Sequence, residues 1–357
     1  MESVKRSYTL DSIKFFSMVI VYLCHLKMSF FPEKDVSLSI ANLSIPNYLF
    51  NGNLAVCMFI LISVYLSAEK AFNKELNNQE IVLTMIKRYL RLFIPAFIVN
   101  IVILLMYYLG LFYNLVYQTD AQFINSWFSF GTGIKPVLLF VYSTIELCFF
   151  GTGYNPPLWC YNLLFFLPII EMILVIILKQ VNKKFVLFLS LGLSLVCLLN
   201  NSYFSILFIV LGLFLIPNTS KSNNLLLVIA IIVFCIIFSV DVIKNQFKFD
   251  LINKFSVSCN ILLATSLFEV IMKIGGIFNR KIFSIINSIS FSIYLLHMPI
   301  ICSLGFFLIT RGGYSIGIVV TSVTLFLCFI SVLFHYFVEN KLTKLIISQI
   351  GKGKYVR

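Results

Sequence analysis

The sequence has little charge. Only 11% of its 357 residues are Asp, Glu, Lys or Arg, while 60% are hydrophobic. A soluble globular domain has about 25% charged and about 45–50% apolar residues, so this composition excludes an ordinary soluble protein. It predicts an all-α fold, a polytopic membrane helix bundle in contact with the lipid bilayer.

Clustered metal ligands are also missing. The nine cysteines are scattered, mostly within apolar runs, and no CxxC or His/Cys cluster has the spacing of a metal site. We therefore interpret the cysteines as small apolar side chains packed between helices. Neither a metal cofactor nor a disulfide is expected.

Acidic residues are scarce, with 14 against 27 basic ones and a net charge of +13. Such a balance can indicate a nucleic-acid partner, but the distribution of the charge argues against one. If the N-terminus is cytoplasmic and ten spans follow, 20 of the 27 basic residues fall on the cytoplasmic side, as the positive-inside rule requires. The excess charge therefore indicates topology, and no nucleic-acid partner is expected.

Ten apolar runs are long enough to cross a bilayer, which takes about 20 helical residues. They lie at about 12–31, 52–69, 92–113, 158–179, 185–200, 202–217, 224–243, 255–273, 288–309 and 314–338. An eleventh run, at 136–150, is short and contains Glu146. Counting it as a span would reverse the charge bias of everything after it, so a re-entrant or interfacial segment is expected there.

With ten spans, both termini are predicted to be cytoplasmic. Residues 1–345 are then expected to form a single transmembrane domain, and residues 346–357 a short basic tail.

The first span carries three ionisable residues on one face. In "LDSIKFFSMVIVYLCHL", Asp11, Lys14 and His25 align with Met18 and Tyr22, because each helical residue advances about 100°. His25 lies about 20 Å further along the axis than Asp11. Such groups would be unpaired in lipid, so this face is expected to point inward. Imidazole is also the usual group for proton transfer near neutral pH.

Two arginines stand at the start of the third span. Arg88 and Arg91 in "IKRYLRLFIPAF" are three residues apart and share a helix face. Paired guanidiniums suit the bidentate capture of phosphate. Basic residues at a cytoplasmic helix end also follow from the positive-inside rule alone, so this stretch leaves both interpretations open.

Three later segments carry further polar or aromatic groups. In "NPPLWCYNLLFFLPIIE", a proline break puts Trp159 at the outer interface, where an aromatic anchor is the simpler interpretation. In "ISFSIYLLHMPI", Ser290, Tyr294 and His297 line one helix face. Glu339 ends the last span among basic residues, which favours a salt-bridged helix terminus.

Taken in order, these segments resemble the acyltransferase family 3 membrane proteins, which include bacterial O-acetyltransferases of surface polysaccharides. The resemblance runs from Leu10 to about Leu342. It rests on "LDSIKFFSMVIVYLCH", "NLAVCMFILISVYLSA", "KRYLRLFIPAF", "NPPLW", "SFSIYLLHMPI" and the terminal Glu339. Three positions depart from the family pattern. Lys14 replaces the usual arginine, and Val64 replaces a glycine of the second-span motif. Leu164 stands five residues after Trp159, where many members carry an acidic residue.

The resemblance implies an O-acyltransferase of the inner (cytoplasmic) cell membrane. It would move an acetyl group from cytoplasmic acetyl-CoA to a hydroxyl of a surface polysaccharide or lipid-linked oligosaccharide. His25 would be a general base or a transient acyl carrier. The residues that the resemblance assigns are His25 and Asp11 for catalysis, Arg88, Arg91 and Lys14 for the donor, and Trp159, Tyr294 and His297 for the acceptor.

Two other functions fit the same residues. A secondary transporter or flippase for a lipid-linked glycan would also have many spans and a buried ionisable face, but it predicts discontinuous helices in both halves. A structural membrane protein without catalysis would leave the shared face of Asp11, Lys14 and His25 unexplained.

Overall fold

A computed structural model describes residues 8–31, 38–40, 43–45, 51–116, 122–147, 149, 154–178, 260–261, 263–272 and 281–352. These residues are largely helical, and they include one short antiparallel ribbon, β1 (Leu38–Ile40) with β2 (Leu43–Ile45). The predicted helical bundle is confirmed to that extent.

The helices follow one another along the chain with several short 3-10 and π segments between them. In order they are α1 (Tyr8–Phe30), α2 (Gly52–Asn73), α3 (Asn78–Tyr108), α4 (Gln122–Asn125), α5 (Lys135–Glu146), α6 (Tyr161–Leu178), α7 (Leu263–Met272), α8 (Lys281–Asn287), α9 (Ser290–Ile300), α10 (Phe306–Thr310), α11 (Ile316–Phe334) and α12 (Lys344–Lys352).

Six helical stretches among the described residues are long and apolar enough to cross a membrane. They are Tyr8–Phe30, Gly52–Asn73, Asn78–Tyr108, Pro156–Ile177, Ser290–Thr310 and Ile316–Ile350. Each overlaps one predicted span. The predicted spans at 185–200, 202–217 and 224–243 lie outside the described residues, and the span at 255–273 lies partly outside them. The count of ten, the sidedness of the termini and the domain boundary at 345 therefore stay predictions.

The segment at 136–150 contains α5, whose 12 residues rise only about 18 Å. A bilayer core is about 30 Å thick, so α5 is too short to span, as expected. Gly131 and Gly133 precede it with φ of 85° and 66°, a conformation that glycine adopts readily. The hydroxyls of Tyr107 and Tyr108 donate to the carbonyl oxygens of these two glycines and so tie the turn to the end of α3.

The described residues fall into two compact units. The first lies within Met1–Ser17, Gly52–Ile81 and Phe166–Asn287, and the second within Met18–Asn51, Val82–Phe165 and Ser288–Arg357. Three of the five boundaries between the units fall inside α1, α3 and α6.

Aromatic contacts pack the first unit. The ring centroids of Phe16 on α1 and Phe283 on α8 are 5.5 Å apart. Those of Tyr65 on α2 and Phe268 on α7 are 5.1 Å apart. Both distances lie in the range of favourable offset aromatic pairs, so these rings link the helices of this unit.

A proline and a glycine shape the second unit. α9 packs along α11, and directly after Pro299 and Ile300 the helix widens into a π segment, Ile301–Gly305. A Cβ atom on Gly305 would come within 2.7 Å of the Phe30 ring. Glycine at this position therefore allows the end of α1 to approach the π segment.

Asn114 braces the segment that follows α3. Its buried Nδ2 donates to the carbonyl oxygens of Ile124 at 2.8 Å and of Trp127 at 3.0 Å. One side chain thus joins the end of the stretch after α3 to α4 and to the turn at Trp127.

Replacing Asn114 by Leu should lower the free energy of unfolding by about 1–3 kcal/mol, because two side-chain hydrogen bonds to backbone carbonyl oxygens are lost. Thermal unfolding of the purified protein in detergent measures the change. Asn53→Leu, at an exposed site in α2, is the control. An Asn114→Leu loss no larger than that of the control would contradict this role.

Candidate active site

Two of the chain's three histidines meet inside the second unit. His25 lies on α1 and His297 on α9, and His25 Nδ1 is 3.2 Å from His297 Nε2. His297 is 1% exposed, whereas His25 is half-buried. The sequence puts each histidine on the polar face of its own span, but it does not reveal that the two rings touch.

Backbone carbonyl oxygens fix the proton positions in this pair. His297 Nδ1 lies 2.8 Å from the Tyr294 carbonyl oxygen, which can only accept, so in the neutral ring Nδ1 carries the hydrogen. The Nε2 atom of His297 then has a lone pair.

The same reasoning applies to His25. Its Nδ1 faces two acceptors, the carbonyl oxygen of Val21 at 2.9 Å and the lone pair of His297 Nε2. Nδ1 of the neutral ring is therefore the protonated nitrogen, and Nε2 keeps a lone pair. That atom can accept a proton or attack an electrophile.

An aromatic side chain that the sequence reasoning missed lies beside His25. The ring centroid of Trp127 is 6.0 Å from that of His25, and Trp127 belongs to the segment that Asn114 braces. The chain has two tryptophans, and the family motif drew attention only to Trp159. The position of Trp127 between the predicted spans at 92–113 and 158–179 was the signal available in the sequence.

Asn155 supplies a hydrogen bond that α9 lacks. Pro299 has no N–H, so the carbonyl group of Leu295, four residues earlier, cannot make its helical hydrogen bond. Asn155, which is fully buried, donates from Nδ2 to that oxygen at 3.1 Å. The proline and the asparagine lie in separate motifs of the sequence, and only the fold shows that Asn155 supplies the donor that Pro299 lacks.

The neighbours of Trp159, rather than Trp159 itself, dock the NPPLW segment on α9. The buried hydroxyl of Tyr294 donates to the carbonyl oxygen of Pro157 and lies 3.2 Å from Cys160 Sγ. Trp159 is 51% exposed. An acceptor-binding role for Trp159, Tyr294 and His297 stays a prediction.

Arg88 makes on α6 the kind of contact that Asn155 makes on α9. Pro168 deprives the Leu164 carbonyl group of its helical donor. Arg88 donates to this oxygen from Nε at 2.9 Å and also from Nη2. Leu164 is the position at which the family resemblance leads us to expect an acidic side chain, and here its backbone oxygen binds the guanidinium. Arg91, one turn later, is exposed.

Asp11 and Lys14 belong to the first unit. Asp11 is 6% exposed and accepts a hydrogen bond of 2.9 Å from Asn287 Nδ2 on α8. Lys14 is half-buried. The Asp11–Asn287 contact had no signal in the sequence, since nothing singled out Asn287. The catalytic role of Asp11 and the donor-binding role of Lys14 stay predictions.

The third histidine makes a separate cluster with Glu339. His335 Nδ1 is 2.9 Å from Glu339 Oε2, and Asn340 Nδ2 is 2.8 Å from His335 Nε2. The hydroxyl of Ser292 on α9 donates to the other oxygen of Glu339. The sequence favoured a salt bridge to neighbouring basic residues, whereas the contacts shown are to a histidine and a hydroxyl.

An apolar cavity of about 470 Å³ lies in the second unit beside α9. Leu296, Pro299 and Ile300 line one side, and residues of α3 and α11 line others. None of the described residues that line it is charged, so its chemistry suits a hydrocarbon group better than a sugar or a phosphate.

The fold and the histidine pair define a multi-pass membrane protein that holds a proton-accepting nitrogen among its helices. The chain matches acyltransferase family 3, described as an acyltransferase domain, over residues 7–337. It therefore belongs to this family and is a membrane acyltransferase. No curated protein and no solved structure matches the chain.

The contact between Asn155 and Leu295 gives a prediction with an internal rescue. Asn155→Leu should lower the free energy of unfolding by about 1–3 kcal/mol, because the Leu295 carbonyl group loses its donor. Adding Pro299→Ala restores a backbone N–H and should recover part of this loss. Thermal unfolding of the wild type, the two single variants and the double variant measures these changes in stability. A double variant that is the sum of two independent losses would refute the contact.

Proposed function

We propose that this acyltransferase moves an acetyl group from cytoplasmic acetyl-CoA to a hydroxyl of a cell-surface glycan, either a polysaccharide or a lipid-linked oligosaccharide. The observation that carries the proposal is the lone pair on His25 Nε2, which the acceptors around Nδ1 leave for chemistry. Membership of the family supports acyl transfer. The acetyl group, coenzyme A, the glycan and the inner membrane are the finer part of the proposal, and they rest on the motif resemblance.

The proposed step uses His25 as a general base. The acceptor hydroxyl oxygen attacks the thioester carbonyl carbon while its proton moves to His25 Nε2. The C–S bond then breaks, and the same proton passes from His25 to the leaving thiolate. The products are an ester on the glycan and the free thiol of coenzyme A.

The hydrogen bonds around His25 favour this proton transfer. When Nε2 takes the proton, the ring becomes an imidazolium whose Nδ1–H still donates to Val21 and His297. Hydrogen bonds from a charged donor are stronger than those between neutral groups. His297 is thus proposed to position His25 and to stabilise its charged form, in addition to the acceptor-binding role that the resemblance implies.

Arg88 and Arg91 are proposed to hold the phosphates of the donor. Guanidinium groups bind phosphate oxygens through paired, charge-assisted hydrogen bonds. On the predicted topology both arginines lie on the cytoplasmic side, where acetyl-CoA is made. The pantetheine arm would then run into the second unit toward His25.

The acceptor is proposed to approach His25 past Trp127. The Trp127 ring lies 6.0 Å from the imidazole and offers a flat apolar surface for the face of a sugar. The exposed Trp159 would contribute a second aromatic surface to the acceptor.

His25→Ala should reduce acetyl transfer by about 100-fold or more, because a positioned general base contributes at least this much. The assay is transfer of radiolabelled acetyl from acetyl-CoA to the glycan in membranes that contain equal amounts of each variant. His335→Ala, which removes the histidine outside the pair, should stay within a few-fold of wild type. Near-normal transfer by His25→Ala would falsify the assignment.

Arg88→Ala should raise the KM for acetyl-CoA by about 10- to 100-fold, since a hydrogen bond to a charged group contributes about 1.5–3 kcal/mol. Acetylation of the surface glycan should then be lost at cellular donor levels, with insertion into the membrane intact. Arg311→Ala, at an exposed arginine, is the matched control. An unchanged KM in the Arg88 variant would exclude it from the donor site.

A further inference from the structure

Pro168 interrupts the hydrogen bonding of α6 at one position. The Leu164 carbonyl oxygen would accept from the N–H of residue 168 in an unbroken helix, but proline has none. In a membrane helix an open carbonyl needs a donor from protein, since hydrocarbon offers none. Arg88 on α3 donates to it from two nitrogens.

We propose that Pro168 is a positioning residue for Arg88. By withholding its N–H, it keeps the Leu164 oxygen open for the guanidinium and so sets where the donor phosphates bind. The functional half of this inference rests on the proposed role of Arg88 in binding the acyl donor. The structural half, that position 168 controls Arg88, stands on the contact alone.

The geometry of the contact orients the guanidinium as well as anchoring it. The guanidinium is planar and has five N–H groups in a fixed arrangement. Because Nε and Nη2 lie on one edge and both donate to the Leu164 oxygen, the plane and direction of the group are set. Nη1 takes no part in these two hydrogen bonds.

A cluster of three aromatic rings includes the residues that follow Arg88 and Leu164 in the chain. Tyr89 follows Arg88, and Phe165 follows Leu164. The ring centroids of Tyr89 and Phe165 are 5.8 Å apart, and Phe149 lies 6.3 Å from Tyr89 and 6.1 Å from Phe165. The contact between the Tyr89 and Phe165 rings joins α3 to α6 at the residues that follow Arg88 and Leu164 in the chain.

The second unit contains an independent case of the same device. Pro299 opens the Leu295 carbonyl group of α9, and Asn155 donates to it. Pro168 and Pro299 thus each leave a carbonyl oxygen without its helical donor, and a side chain from another motif donates to that oxygen. This recurrence argues that Pro168 acts through its missing N–H rather than through a bend in the helix.

The test separates the missing N–H from the missing ring. Pro168→Ala removes the ring and restores the N–H. Nonsense suppression with lactic acid at position 168 gives the same side chain as alanine but an ester in place of the amide, so there is still no N–H. A carbonyl oxygen has two lone pairs, so the restored N–H should share the Leu164 oxygen and weaken the Arg88 contact without abolishing it.

The measurement is the Kd of coenzyme A for the purified full-length protein. Pro168→Ala should bind coenzyme A about three- to tenfold more weakly, less than the effect of losing a whole charge-assisted hydrogen bond, because the Arg88 contact is weakened and not lost. The lactic acid variant should stay within about twofold of wild type. Equal weakening in both variants would assign the effect to the ring, and no weakening in either would also overturn the inference.

A double-mutant cycle on thermal unfolding tests the contact without any ligand. Arg88→Met should lower the melting temperature less in the Pro168→Ala background than in wild type, because the carbonyl group already has a donor. Pro299→Ala, whose open carbonyl binds Asn155, should show no such coupling to Arg88. Additive effects of Arg88→Met and Pro168→Ala would refute the inference. If the wild type fails to bind coenzyme A while the coupling is present, the proposed function fails and the positioning role remains.

Discussion

A backbone carbonyl group buried in a membrane helix must have a donor, because no water reaches it. Three prolines lie inside the described helices, and at two of them, Pro168 and Pro299, the side chains of Arg88 and Asn155 replace the missing donor. Two other carbonyl groups, those of Val21 and Tyr294, accept hydrogen bonds from Nδ1 of His25 and of His297, respectively. The candidate site is thus organised by backbone acceptors, which an unaligned sequence does not display.

This arrangement explains how the half-buried imidazole of His25 keeps a nitrogen lone pair that can accept a proton. Each Nδ1 in the pair has a backbone acceptor, so the lone pair of His25 is on Nε2, while that of His297 receives the hydrogen bond from His25. The third histidine, His335, instead has both ring nitrogens within 2.9 Å of side-chain partners. Only in His25, among these three rings, does the network leave a nitrogen lone pair for a substrate. Transporters also use histidine nitrogens as proton relays, so the match to the family, rather than this atom, favours acyl transfer over a flippase.

The sequence predicted the spans that follow from composition and length, because about 20 apolar residues suffice to cross a bilayer whatever surrounds them. It also predicted the faces of single helices, such as the alignment of Asp11 with His25, since the helical turn is fixed. Contacts between helices were out of reach. His25 and His297 are 272 positions apart, and Arg88 and Leu164 are 76 apart. Such pairings depend on how helices pack, and no local pattern encodes that.

The most direct test of the account is a structure of the protein with a non-reactive acetyl-CoA analogue bound in a lipid bilayer. We predict that His25 Nε2 lies within hydrogen-bonding distance of the reacting end of the analogue. We also predict that the phosphates contact Arg88 on the cytoplasmic side. An imidazole turned toward lipid, or phosphates bound at the opposite face of the membrane, would contradict the account.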